Sequence, residues 1–187
     1  MKVSRAQAEE NRERILDNAA QLFRERGFDG IGLNDLMQAA GLTRGGFYGH
    51  FESKDDLAAQ ATQRALQSNR EQWKQQTDRS LSAWIKAYLS DAHRDRLGAG
   101  CGLAALAGDA ARGGPAVQQA FGEGVECLAT TLQTQMSAAD AVGRREQALA
   151  LLSTLVGALL LSRAVGDAGL SRELREAARK YLPVDMS

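Results

Sequence analysis

Several kinds of residue are scarce in this chain, and each shortage excludes something. Two cysteines in 187 residues cannot make a disulfide framework, and they suit a reducing compartment. The opening Met1-Lys2-Val3-Ser4-Arg5 is followed by charged residues rather than an apolar core, so no signal peptide is expected. No apolar run of about twenty residues is evident, which predicts no membrane span. A cytoplasmic location follows as an expectation. Lysine and arginine together number 23, as do aspartate and glutamate, so the formal net charge is zero. That excludes an indiscriminate, strongly basic nucleic-acid binder but leaves room for a small basic surface. The two prolines are Pro115 and Pro183, and strand-like alternation of β-branched residues is nearly absent.

Enzyme signatures are missing too. The chain has no glycine-rich phosphate loop ending in Lys-Ser/Thr, no His-Glu-x-x-His, no Gly-x-Ser-x-Gly and no Cys-x-x-Cys. No catalytic residue, cofactor or metal is expected. His93 stands between Asp91 and Asp95, but that spacing gives no helical i, i+4 ligand pair, and a solvated helix face is the better reading.

What remains is rich in Ala, Leu, Gln, Arg and Glu, all strong helix formers. The fold class is therefore all-α. The most informative stretch is 32–54. Gly32 begins a short helix with Asp35 in its first turn, where a carboxylate suits the helix dipole. Gly41 ends that helix in a positive-φ conformation and lets Leu42 fold back on Met37. Thr43 caps a second helix over 44–50, and Ser53 caps a third. Two short helices joined by a tight glycine turn make a helix-turn-helix. Phe47 and Phe51 lie four apart and face inward, whereas Arg44 and Tyr48 face outward with Gly45 and Gly46 between them. Such a surface suits a DNA groove; the plainer alternative is a small helical hairpin with a surface tyrosine.

Residues 12–57 resemble the N-terminal domain of the TetR family of bacterial transcription regulators. The resemblance rests on Ile15-Leu16, Ala19-Ala20-Gln21-Leu22-Phe23, Arg26-Gly27-Phe28 and Ala39-Ala40-Gly41-Leu42. Above all it rests on Gly45-Gly46-Phe47-Tyr48-Gly49-His50-Phe51 followed by Ser53-Lys54-Asp55-Asp56-Leu57. It departs at Ile31 and Gly32, where the family usually has Thr or Ser, and at Gly46, where many members carry Thr, Ala or Ser. The resemblance implies a three-helix DNA-binding domain over 1–54 and a helical effector-binding and dimerisation domain over 55–187. It implies a homodimer bound to a near-palindromic operator in double-stranded DNA, most often a repressor released by a small-molecule effector. By the same resemblance Thr43, Arg44, Gly45 and Gly46 approach base edges, while Tyr48, His50 and Lys54 hold phosphates.

The rest of the chain reads as further helices. The first runs from about residue 10 to Arg26 and stops at Gly27, with Phe28 returning to Phe23; residues 1–9 read as frayed. A long helix covers 53–79, another about 80–96, then helices near 101–112, 115–137, 143–165 and one capped by Ser171 and ended by Pro183. The helix at 143–165 is the most apolar, and Leu149, Leu152, Val156 and Leu159 are its candidate dimer face. Trp84, Tyr88, Cys101 and Phe121 are candidates to line an effector pocket, against the plainer reading that they are core. Cys101 sits at a predicted helix N-terminus, which raises a second possibility: a thiol sensor of oxidants or electrophiles on the same scaffold. No Lys or His neighbours it in sequence, which favours a reversible, largely apolar effector. A helical protein that never touches DNA is the remaining alternative.

Overall fold

The computed structural model describes residues 4–74, 80–138 and 140–182. Among the described residues there are nine α-helices, one 3-10 helix and no strand. Helix α1, Arg5–Arg26, starts earlier than its apolar stripe suggested, because the Ser4 hydroxyl accepts the Gln7 N–H and caps it. It ends at Gly27, whose φ of 73° places it where a side chain would be strained; its N–H donates to the Phe23 carbonyl. The Phe28 ring then packs edge-on against Phe23 at 5.1 Å.

Helix α2, Leu33–Ala39, leads into the 3-10 helix Arg44–Gly49 and then α3, Lys54–Lys74. The expected continuation of α3 over 75–79 lies outside the described residues, as do residues 1–3 and Pro183. Beyond α3, the single helix expected to Arg96 is two, α4 (Leu81–Tyr88) and α5 (Asp91–Asp95). Ser90 divides them: its hydroxyl donates to the Ala87 carbonyl and accepts the His93 N–H, capping a new helix. Next come α6 (Gly102–Arg112), α7 (Pro115–Gln133), α8 (Ala141–Ala164) and α9 (Ala168–Lys180). Asp167, not Ser171, caps α9 through the Leu170 N–H; Ser171 is buried and donates to the Ser162 carbonyl.

Two hydrophobic cores share α3, α6 and α7. The first joins Ile15, Ala19 and Phe23 to Leu36, Met37, Phe47, Phe51 and Leu57, and is closed by Leu106, Ala110 and Val117. The second gathers Leu66, Trp73, Trp84, Ile85, Tyr88 and Leu103 with Leu128, Leu151, Leu155 and Leu159. Helix α6 therefore starts in one core and ends in the other. Helices α3 and α7 approach closely because Gly124 has no side chain: a Cβ there would overlap the Leu66 side chain. Salt bridges from Arg64 to Glu13 and Asp17 tie α3 to α1.

Helix α8 corrects two expectations. By length and composition it is apolar enough to cross a membrane, with mean hydropathy 1.5 in its most apolar window; here it is a bundle helix with Leu151, Leu155 and Leu159 inside. Leu152 and Leu159, expected on a dimer face, are 4% and 0% exposed in the single subunit. The reason is that α8 packs against both α7 and α9, so its main leucine stripe is spent within the chain. Leu149 and Val156 are half-buried against the same core. The exposed residues of α8 include Ser153, Leu160 and Leu161, and α9 exposes Leu170.

Candidate nucleic-acid interface

The turn between α2 and the 3-10 helix is fixed by three backbone bonds. Ala40 N–H donates to Leu36, Gly41 N–H to Gln38, and Leu42 N–H to Met37 at 2.8 Å. Gly41 has a φ of 70°, which closes the turn without strain. The segment after Thr43 was expected as an ordinary helix over 44–50. It is a 3-10 helix, with Gly46 N–H on the Thr43 carbonyl and His50 N–H on Phe47. Three of its six residues are glycine, which weakens α-helix formation, and the Thr43 side chain makes no capping bond.

Its inner side is rigid. Phe47 is fully buried, stacks on Phe51 at 5.7 Å and meets the Tyr48 ring edge-on at 5.2 Å. Arg12 of α1 lies over the Phe51 ring and donates to Gln60 of α3, so three elements hold this short helix. Its outer side is open. Thr43, Arg44, Gly45, Gly46 and Gly49 are exposed, and Tyr48 is 69% exposed. A Cβ at Gly45 would meet nothing within 4 Å, so the bare backbone there is free for close approach to a partner. His50 and Lys54 are half-buried at one end of the ridge. Lys54 opens α3, whose first turn is capped by Ser53 through the Asp56 N–H. Ile31 is buried and Gly32 caps α2 with backbone alone, so no hydroxyl stands at either position. The seven residues expected at a DNA surface thus lie on one continuous stretch. Chemically it offers one guanidinium, one ammonium, an imidazole, a phenol and exposed backbone, a set that suits phosphates and base edges.

The effector-pocket candidates divide. Trp84 and Tyr88 line a cavity of about 250 Å³ together with Trp73, His93 and Arg96. Cys101 is 2% exposed and lies behind Tyr88 and His93. Phe121 packs elsewhere, partly buried between the two cores. His93 is not on a solvated face. Its Nδ1–H donates to the Tyr88 carbonyl at 2.6 Å, and its Nε2 accepts the Cys101 N–H at 3.2 Å. Only the neutral ring makes both bonds. Burial holds its pKa below the usual imidazole value, with the charges of Arg163 and Arg96 acting in the same direction against the bond to Tyr88. Sequence reasoning missed this histidine because the partners are joined by a chain reversal at 96–100, not by helical spacing. No group of metal-binding side chains occurs among the described residues.

Comparison with known proteins follows the same outline. Residues 15–61 match the profile of "Bacterial regulatory proteins, tetR family". The HTH-type transcriptional regulator AcrR of Shigella flexneri is 43% identical over 54 residues, 29% of this chain and 25% of that protein. The chain thus aligns with about a quarter of the length of the first curated relatives it matches. Along the whole chain the similarity is structural. A TetR transcriptional regulator from Chloroflexus aurantiacus superposes with a TM-score of 0.75 at 26% identity, covering 96% of this chain and 98% of that one. E. coli NemR in its reduced form superposes with a TM-score of 0.77 at 20% identity, covering 95% and 98%.

Proposed function

The chain belongs to the tetR family of bacterial regulatory proteins, and from that premise we propose that it is a cytoplasmic, homodimeric repressor that binds a near-palindromic operator and is released by an effector. Residues 1–54 carry the DNA contacts and 55–187 carry regulation and pairing. The observation that supports this best is the ridge Thr43-Arg44-Gly45-Gly46, exposed and held from below by buried Phe47 and Phe51. Arg44 reads a base edge, and the open backbone beside it lets the helix settle in the major groove. Tyr48, His50 and Lys54 bind phosphates and fix the register.

Pairing uses the open face of α8 and α9, with Leu160, Leu161 and Leu170 as its apolar centre. The two-fold axis places equal half-sites about one helical turn apart, roughly 34–36 Å. Regulation acts through α6, whose first residues lie in the second core and whose Leu106 and Ala110 lie in the first. An effector shifts the equilibrium only by the difference in its affinity for the two arrangements. The test is a pair of substitutions read on duplex DNA. Arg44→Ala should relax sequence preference and cost about 1–3 kcal/mol. Lys54→Ala should weaken all sequences alike and reduce the salt slope by about one unit. Equal loss of specificity in both variants would show that the roles are misassigned.

A further inference from the structure

The cavity of about 250 Å³ beside α4 is distinguished by its lining. Trp73 of α3 and Trp84 of α4 are the chain's two tryptophans, and both stand in its wall. Tyr88 joins them, and the His93 ring meets Tyr88 edge-on at 4.7 Å. His93 adds a ring but no charge, because the Tyr88 carbonyl and the Cys101 N–H occupy both of its nitrogens. Arg96 lines the exposed edge, and its side chain has no ion pair or hydrogen bond among the described residues. Its guanidinium is the sole charge in the described lining; no carboxylate shares the cavity with it.

Flat rings favour a second flat ring, and a free guanidinium favours a carboxylate. A cation is the other guest that aromatic walls attract, but it needs ring faces standing apart around it. Here the rings pack on one another: the Trp73 and Trp84 centroids are 4.5 Å apart, and those of Trp84 and Tyr88 5.4 Å. No cation fits between them, and Arg96 repels one at the edge. The volume lies below the usual range for drug-sized ligands, about 300–1,000 Å³, so the guest is small. We propose that this cavity binds a small aromatic carboxylate, its ring against Trp73 and Trp84 and its carboxylate on Arg96.

The site has a route to the DNA-binding end. Arg96 and Ala99 belong to the chain reversal at 96–100, and Gly98 between them rests on α1: a Cβ there would overlap the Gln21 and Glu25 side chains. Asn69 of α3 fixes the far end of the reversal by donating to the Gly100 carbonyl. A carboxylate that draws in Arg96 therefore shifts a turn seated on α1, whose Phe23 lies in the DNA-binding core. By linkage, the factor by which the ligand changes duplex affinity is the factor by which duplex changes ligand affinity. The effect on DNA deepens the effector reading above and rests on it; the binding itself does not.

The test is calorimetric titration of the full chain, without DNA, using three probes that share one ring system: 1-naphthoate, 1-naphthalenemethanol and 1-naphthylmethylammonium. The proposal predicts affinity in that order. Naphthoate should lead the alcohol by about fivefold at low salt, and by less as salt rises, since Arg96 is exposed. Tryptophan fluorescence should change in step, because both tryptophans line this cavity. Arg96→Gln breaks no side-chain contact of the fold and should bring naphthoate down to the level of the alcohol. Ala99→Phe keeps Arg96 but fills the cavity from an exposed position, and should abolish binding of all three. No binding of naphthoate, a preference for naphthoate that survives Arg96→Gln, or tightest binding of the ammonium would overturn the site. Binding needs no DNA, so these results bear on the site whether or not the chain is a repressor. Naphthoate that binds as predicted but leaves duplex affinity unchanged would overturn the coupling.

Discussion

Replacing Asn69 with alanine tests how firmly α6 is fastened to α3. Asn69 is 2% exposed and makes two bonds to the turn before α6: Nδ2–H to the Gly100 carbonyl at 3.1 Å and Oδ1 from the Gly102 N–H at 2.6 Å. Alanine removes both and leaves two buried backbone groups without partners. Each of the two stranded groups costs about 1–3 kcal/mol, so the expected loss is about 2–6 kcal/mol. Thr62, about two turns earlier in α3, is the control. It is fully buried, but its hydroxyl bonds only Ala58 of its own helix, whose carbonyl keeps its helical partner. Thr62→Ala should cost only about 1 kcal/mol. Urea unfolding at one fixed protein concentration, followed by circular dichroism, compares the two. A cost for Asn69→Ala within about 0.5 kcal/mol of that for Thr62→Ala would show that Asn69 does not fasten α6 to α3, because two stranded buried groups require a larger gap.

Gly41→Ala should destabilise by about 1–2 kcal/mol from backbone strain alone, since its Cβ meets nothing within 4 Å; Gly41→Asn should cost less, and thermal unfolding ranks them. Leu161→Arg should leave a folded monomer by light scattering, whereas Leu159→Arg should fail to fold, because only the former side chain is open. His93 titrates below its ordinary value in the fold, so the unfolded chain takes up the proton first as pH falls. Its contribution is complete above about pH 6.5 and is lost as pH drops below that. Urea midpoints should therefore fall more from about pH 7.5 to 5.5 in the parent than in His93→Gln.

Local signals were legible in the sequence wherever one turn of helix decided the outcome. Gly27 and Gly41 announced their chain reversals, Ser53 its cap, and Phe47 with Phe51 their inward face. What the sequence concealed depends on which helices become neighbours. Leu152 and Leu159 look like an interface until α9 is seen to cover α8 from the other side. Ser90 looked like an ordinary helix residue because its competing bonds form only when the chain turns. The share of His93 and Arg96 in the aromatic cavity was hidden for the same reason: Trp73, Trp84 and His93 come from three helices, and no spacing along the chain links them.

The central claim is sequence-specific binding of duplex DNA by a two-fold dimer. Selection of bound duplexes from a random pool with the purified full chain tests it directly. The account predicts enrichment of one near-palindromic site with half-sites about one helical turn apart, bound by two chains and weakened by added salt. No enriched sequence, or a site without two-fold symmetry bound by one chain, would contradict it.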